Sequence, residues 1–182
     1  MQHTLTQYKS VVAGCEDLFV KKAFDYGTSW RVLRPISIVD QIYIKAWRIR
    51  QIQEIGNQKI SDSIESEFVG IVNYGIIGLI QFALPAGATV EATAEQAREW
   101  YTAQKEQVEA LMLQKNHDYG EAWREMSQQS FVDLILVKLL RIKQILANNG
   151  QTKVSEGIDA NFVDIINYAI FALIKITEER TA

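Results

Sequence analysis

Apolar residues along this chain recur every three to four positions, in stretches broken by polar or glycine-bearing segments. That spacing places them on one side of an α-helix. The first stretch runs from about Thr4 to Phe24, the second from near Ser37 to near Gly56, and the third from about Asp62 to Phe82. A matching set runs from Thr93 to Asn116, from near Ser130 to Asn148-Asn149-Gly150, and from Glu156 to Thr177. The second stretch carries Ile38, Ile42, Ile49 and Ile52, echoed by Phe131, Ile135, Ile142 and Ile145. The third carries Ile64, Phe68, Ile71, Gly75 and Leu79, echoed by Ile158, Phe162, Ile165, Ala169 and Leu173. The pattern predicts an all-α protein.

The echo is a duplication. Asp25-Tyr26-Gly27-Thr-Ser-Trp30-Arg31 returns as Asp118-Tyr119-Gly120-Glu-Ala-Trp123-Arg124, and the halves stay in register from Lys22 on Lys115 to Leu79-Ile80 on Leu173-Ile174, with one residue inserted on the way. We expect a first three-helix repeat over 1–84, a linker over 85–92 containing Pro85-Ala86-Gly87-Ala88-Thr89, and a second repeat over 93–182, packed as one pseudo-twofold helical bundle. Gly27 and Gly120 fall where helices end, since glycine adopts a left-handed terminus without steric cost. Thr4 with Gln7, Thr93 with Gln96, Ser37 with Asp40 and Ser130 with Asp133 have the spacing of capping boxes. Small residues three apart, Gly75 and Gly78 with their counterparts Ala169 and Ala172, predict a close helix contact, placed across the pseudo-twofold.

Some polar residues break the pattern. Lys45 and Lys138 lie within apolar stripes, so each ammonium must snorkel to solvent or meet an acid or anion. Arg48 and Arg141 follow them by three positions, on the same helix face. Such pairs suit a phosphate or carboxylate, and internal salt bridges suit them equally well. Acids gather on the third helix of each repeat, as Glu65 and Glu67, and as Asp159 and Asp164. Facing carboxylates of this kind can hold magnesium or manganese; alternatively, acids near a helix start favour the helix dipole. In the connecting loops, Trp30 and Trp123 could stack on a base and Arg31 and Arg124 hold a phosphate, or the tryptophans could anchor the loops in the core. Asp25 and Asp118 stay open as site residues beside them.

Composition narrows the field. The chain has 182 residues, a formal net charge of −3 and two prolines, which argues against a duplex nucleic-acid binder and against disorder. The single Cys15 reads as a packed thiol, and together with the N-terminal pattern it points to the cytoplasm. The apolar run Phe68 to Leu84 is interrupted by Asn73, Tyr74 and Gln81, so it reads as a buried helix and no membrane is expected.

The ordered motif Lys-x-x-Asp-Tyr-Gly-x-x-Trp, Val-Asp-x-Ile-x-x-Lys-x-x-Arg-Ile, then Phe-Val-x-Ile-x-Asn-Tyr resembles the nucleotide-modification-associated domain family. It occurs once through Lys22, Asp25, Lys45, Arg48 and Asn73-Tyr74, and again through Lys115, Asp118, Lys138, Arg141 and Asn167-Tyr168. The resemblance implies a role in nucleotide metabolism and a likeness to MazG-like all-α nucleotide pyrophosphatases, in which facing acidic helices hold magnesium against a nucleotide's phosphates. It implies an acid at the positions of both Glu67 and Gly70, and of both Asn161 and Asp164; this chain has one of each pair. On that resemblance Asp164 and Glu67 are expected as catalytic and metal residues. Lys45, Arg48, Lys138, Arg141, Asp25, Trp30, Arg31, Asp118, Trp123, Arg124, Asn73 and Asn167 are expected around a nucleotide or other phosphorylated small molecule. The chain is expected to act as a covalent pseudo-dimer or to pair as a homodimer. The competing expectation is a non-catalytic helical module, structural or protein-binding, with a degenerate site.

Overall fold

The computed structural model describes residues 2–56, 59, 62–85 and 91–181. Helices α1 (Gln2–Tyr26), α2 (Pro35–Ile55) and α3 (Ile64–Ala83) form the first repeat; α4 (Ala94–Tyr119), α5 (Gln128–Ala147) and α6 (Ile158–Thr181) form the second. A short 3-10 turn, Ser29–Val32 or Ala122–Glu125, joins the first two helices of each repeat. No strand occurs among the described residues. Most of the expected linker, residues 86–90, lies outside them.

Each helix packs on its own counterpart: α3 on α6 at the centre, α2 on α5, and α1 on α4. Such like-on-like pairing is what a pseudo-twofold requires. The α3–α6 seam holds Phe68, Ile71, Val72, Ile76, Phe162, Ile165, Ile166 and Ile170, all buried. A Cβ on Gly75 would stand 2.5 Å from Cγ1 of Ile166, and one on Gly78 would stand 2.9 Å from the Phe162 ring. The small residues thus buy the close approach expected across the twofold. By length and composition α3 and α6 could cross a membrane, but most of each is buried in this core, so the fold is compatible with a soluble protein.

Gly27 and Gly120 close α1 and α4 with positive φ of 63° and 61°. Thr93 caps α4, accepting from the Gln96 amide at 3.1 Å. The other caps differ from the expectation. Helix α2 starts at Pro35, whose fixed φ suits the first helical position. Ser127 caps α5, three residues before Ser130. Asp40 and Asp133 instead bridge the α2–α5 seam, to Lys143 at 2.7 Å and Arg50 at 3.4 Å. Thr4 lies inside α1, buried against the second repeat.

A buried polar cross ties the halves together. The Tyr8 hydroxyl donates to Asn167 Oδ1 at 2.8 Å, and the Tyr101 hydroxyl to Asn73 Oδ1 at 2.9 Å. Each asparagine also donates to a carbonyl of its own repeat's first helix, Asn73 to Cys15 at 3.0 Å and Asn167 to Val108 at 3.5 Å. Every tyrosine of the cross therefore reaches into the other repeat. Burial, with the charges of Glu109 and Cys15 adding, pushes the Tyr8 phenol far above its ordinary range, and burial does the same at Tyr101.

Candidate functional site

In the first repeat, the end of α1, the 3-10 turn, α2 and the first half of α3 surround a cavity of about 510 Å³. Lys22, Tyr26, Trp30, Lys45, Glu67 and Gly70 are among the residues that line it. Lys45 sits where α2 meets α3, and its stem lies across Gly70: a Cβ there would stand 2.8 Å from Cε and 2.9 Å from Cδ. Its ammonium is 3.4 Å from Glu67 Oε2 and 5.9 Å from the centre of the Tyr74 ring. Arg48 holds the other Glu67 oxygen and donates to the Asp62 carbonyl at 2.8 Å. Lys22 is exposed at the rim and makes no ion pair among the described residues.

The same positions in the second repeat are closed. Asp164 stands where the first repeat has Gly70, with Oδ1 2.5 Å from Lys115 Nζ and Oδ2 2.6 Å from Lys138 Nζ. Burial pulls the Lys115 ammonium down, but the hydrogen bond and charge of Asp164 outweigh it and leave its pKa above the ordinary lysine value. The lysine that the apolar pattern left looking for a partner thus meets Asp164 closely in the second repeat and, in the first, makes a looser contact with Glu67 beside an open cavity.

The second repeat lacks the other acid of the pair, with Asn161 at the position of Glu67, and opens there instead. Arg141, the counterpart of Arg48, lines a cavity of about 470 Å³ with Asn161, Glu156 and the loop Gln151 to Ser155. Asn161 Oδ1 is buried there without a hydrogen-bond partner among the described residues, while its amide nitrogen donates to the Gly157 carbonyl at 2.7 Å. Each repeat is open where its own acid is missing.

Several expected site residues serve the scaffold. Asn73 and Asn167 carry the cross between the halves, although Asn73 also borders the first cavity. Trp123 is buried and stacks on Phe171 at 4.3 Å. Arg124 covers the Trp123 ring at 4.4 Å and donates to Glu178 at 2.8 Å, Thr4 at 2.6 Å and Gln7 at 2.8 Å, joining the second repeat to α1. Glu178 falls below the usual carboxylate range because Gln7 and Arg124 donate to it, against the smaller effect of burial. Arg31 bonds the Gln81 side chain and lies 5.9 Å from the Trp100 ring. Gln81 in turn holds the Arg31 and Leu33 carbonyls, as Lys175 holds those of Arg124 and Met126. Asp25 and Asp118 are exposed and border neither cavity; Asp118 meets only its neighbour His117, at 3.1 Å. Trp30 alone of the loop residues keeps its place at the cavity, edge-on to Trp100 at 6.3 Å. Burial pushes the Cys15 thiol up to about 12, as a packed thiol requires.

The four acids expected to hold magnesium or manganese do not form a ligand set. Glu65 pairs with Arg180 at 2.7 Å, Asp159 is exposed, and Glu67 and Asp164 are each clasped by two cationic side chains. Among the described residues no three acids, histidines or cysteines gather as a metal would need. Lys22 and Lys115 were absent from the expected site. Their signal was nonetheless present: each is the first residue of the repeated motif, one helical turn before Asp25 or Asp118.

A sequence model described as nucleotide modification associated domain 1 matches the chain twice, over residues 22–82 and 115–176. No curated protein and no solved structure matches.

Proposed function

The chain belongs to the nucleotide modification associated domain 1 family, with two copies of its domain, and on that premise we propose that it binds a nucleotide or a related phosphorylated small molecule in the first repeat. The observation that carries this reading is the cavity of about 510 Å³ lined by both lysines and aromatic rings. Its volume is in the range of small-molecule sites, roughly 300–1,000 Å³. Lys22 and Lys45 supply charge for phosphate oxygens, and Tyr26, at the rim and 61% exposed, together with Trp30 offers faces for a base.

A pyrophosphatase-like hydrolysis with magnesium or manganese is the narrower form of this proposal and rests on the motif resemblance. The cavity supports binding ahead of turnover, because Glu67 is already clasped by Lys45 and Arg48. The second repeat favours a structural role, since Asp164 closes the equivalent space with two ion pairs. One working pocket in the first repeat beside a second repeat whose equivalent lysine site is closed by Asp164, in a cytoplasmic monomer, unites the two.

A thermal-shift and calorimetric screen of nucleoside mono-, di- and triphosphates tests the reading, with and without magnesium or manganese, alongside phosphate-release assays. Saturable binding that Lys45→Ala weakens is expected. No shift and no heat for any nucleotide would overturn it. Phosphate or pyrophosphate release would promote the hydrolase form.

A further inference from the structure

We propose that Lys22 and Lys45 hold a phosphoryl group of the pocket's ligand directly, with no divalent cation between, in the first-repeat cavity beside Gly70, the position that Asp164 occupies in the other repeat. This rests on the reading of the first cavity as a ligand site and adds how the ligand is held.

The second repeat supplies the template. Lys115 and Lys138 are the duplicates of Lys22 and Lys45, and between them sits an anion, each ammonium holding one oxygen of Asp164 at 2.5 and 2.6 Å. The first repeat keeps both lysines and removes the anion, because Gly70 has no side chain to put there. The Lys45 stem lies across Gly70 instead, and both lysines border the cavity next to it. Lys45 finds only a looser contact, 3.4 Å to Glu67, an acid it shares with Arg48. Lys22 has no ion pair among the described residues. Two lysines and an arginine here face Glu67 and the exposed Asp62, which borders the cavity.

Positive charge lining a cavity draws an anion. A phosphoryl group suits it better than a carboxylate: it carries up to two negative charges for two ammoniums, and its oxygens can be met by separate point donors as lysines provide. In metal-dependent phosphate sites the cation is gathered by carboxylates. Here the buried carboxylate, Glu67, is already clasped by Lys45 and Arg48, and the exposed Asp62 alone makes no carboxylate set, so the lysines themselves take the place of the metal.

Isothermal titration of the full chain with inorganic pyrophosphate, in EDTA, tests this. One site per chain is expected. Gly70→Asp, which supplies an internal carboxylate as the second repeat does, should weaken binding at least about tenfold, and Lys22→Ala should do likewise. The side chain introduced by Gly70→Asp would displace only the flexible stem of Lys45; should that variant fail to fold, the exposed Lys22→Ala carries the test. Binding that requires magnesium, that ignores both substitutions, or that succinate matches would overturn the proposal. If nucleotides bind but neither substitution affects them, this inference falls and the nucleotide reading stands. If pyrophosphate binds as expected and no nucleoside adds affinity, the nucleotide reading falls and the lysine site stands.

Discussion

Replacing Asp164 by asparagine keeps the side chain's shape and removes its charge. The Asp164 side chain is 7% exposed and that of Lys138 is 11% exposed, so their pair is effectively buried, whereas Lys115 at 42% is half in solvent. After the change, an amide group would present an N–H to one of two ammonium donors, and Lys138 would be left charged without a counter-ion. Breaking a buried pair costs about 3–5 kcal/mol, and the partly solvated Lys115 contact adds less than about 1 kcal/mol. Because the long Lys138 side chain can carry its ammonium toward solvent, the lower end applies, about 3 kcal/mol. For a chain of this size that is a fall of roughly 6–12 °C in melting temperature. Glu67→Gln is the internal control, because Glu67 and its partner Lys45 border an open cavity where water can replace the lost charge; about 1–2 kcal/mol is expected there. The assay is urea denaturation followed by far-UV circular dichroism on both variants. If Asp164→Asn costs less than about 1 kcal/mol, or no more than Glu67→Gln, the account of a lysine site closed in the second repeat and open in the first is wrong.

Other outcomes follow from the same geometry. Tyr101→Phe leaves Asn73 Oδ1 buried without its donor, so a loss of about 1–3 kcal/mol is expected in the same denaturation assay, with ligand binding preserved. Arg124→Ala removes bonds to Glu178, Thr4 and Gln7 at once and should cost about 2 kcal/mol while pyrophosphate binding by calorimetry is unchanged. The raised pKa of Lys115 means that its contribution is complete below the unfolded lysine value, about 10.4, and is lost as pH rises through the higher folded value. Stability curves of wild type and Lys115→Met should therefore stay apart through neutral pH and converge only in strong alkali. Glu178 has the opposite sign: held low by Gln7 and Arg124, it stabilises above the unfolded glutamate value, about 4.3, and that contribution fades as pH falls through its lower folded value. Glu178→Gln should flatten the acid limb of the curve.

The sequence revealed the duplication, the six helices and the close α3–α6 seam because each is written in spacing. Periodic apolar residues and paired small residues report on packing along one helix, which is local. Helix starts were less legible, since Ser127 and Pro35 outcompeted the serines that had the right spacing to an acid. The site was half legible. The odd placement of Lys45 and Lys138 marked the spot, but whether each would meet an acid or a void depended on position 70 or 164 of another helix. Motif residues such as Arg124 and Asn73 looked chemical because they are polar and repeated. In the fold their repetition serves contact between the halves, and a polar residue looks the same in sequence whether its partner is a ligand or the other repeat.

The α3–α6 seam has one more consequence. Gly75 faces Ile166, and their counterparts under the pseudo-twofold are Ala169 and Val72, a pairing that strict twofold symmetry would bring together in return; all four are buried. A smaller residue on one side is matched by a larger one on the other, so the two pairings contain the same number of carbon atoms. Were two first repeats to join, glycine would meet valine and leave a methyl-sized void; were two second repeats to join, alanine would meet isoleucine and overfill the gap. Each half is thus keyed to the other and no longer to itself. A duplicated domain that has crossed that point behaves as an obligate heterodimer on one strand, free to keep a binding pocket in one half and brace it with the other.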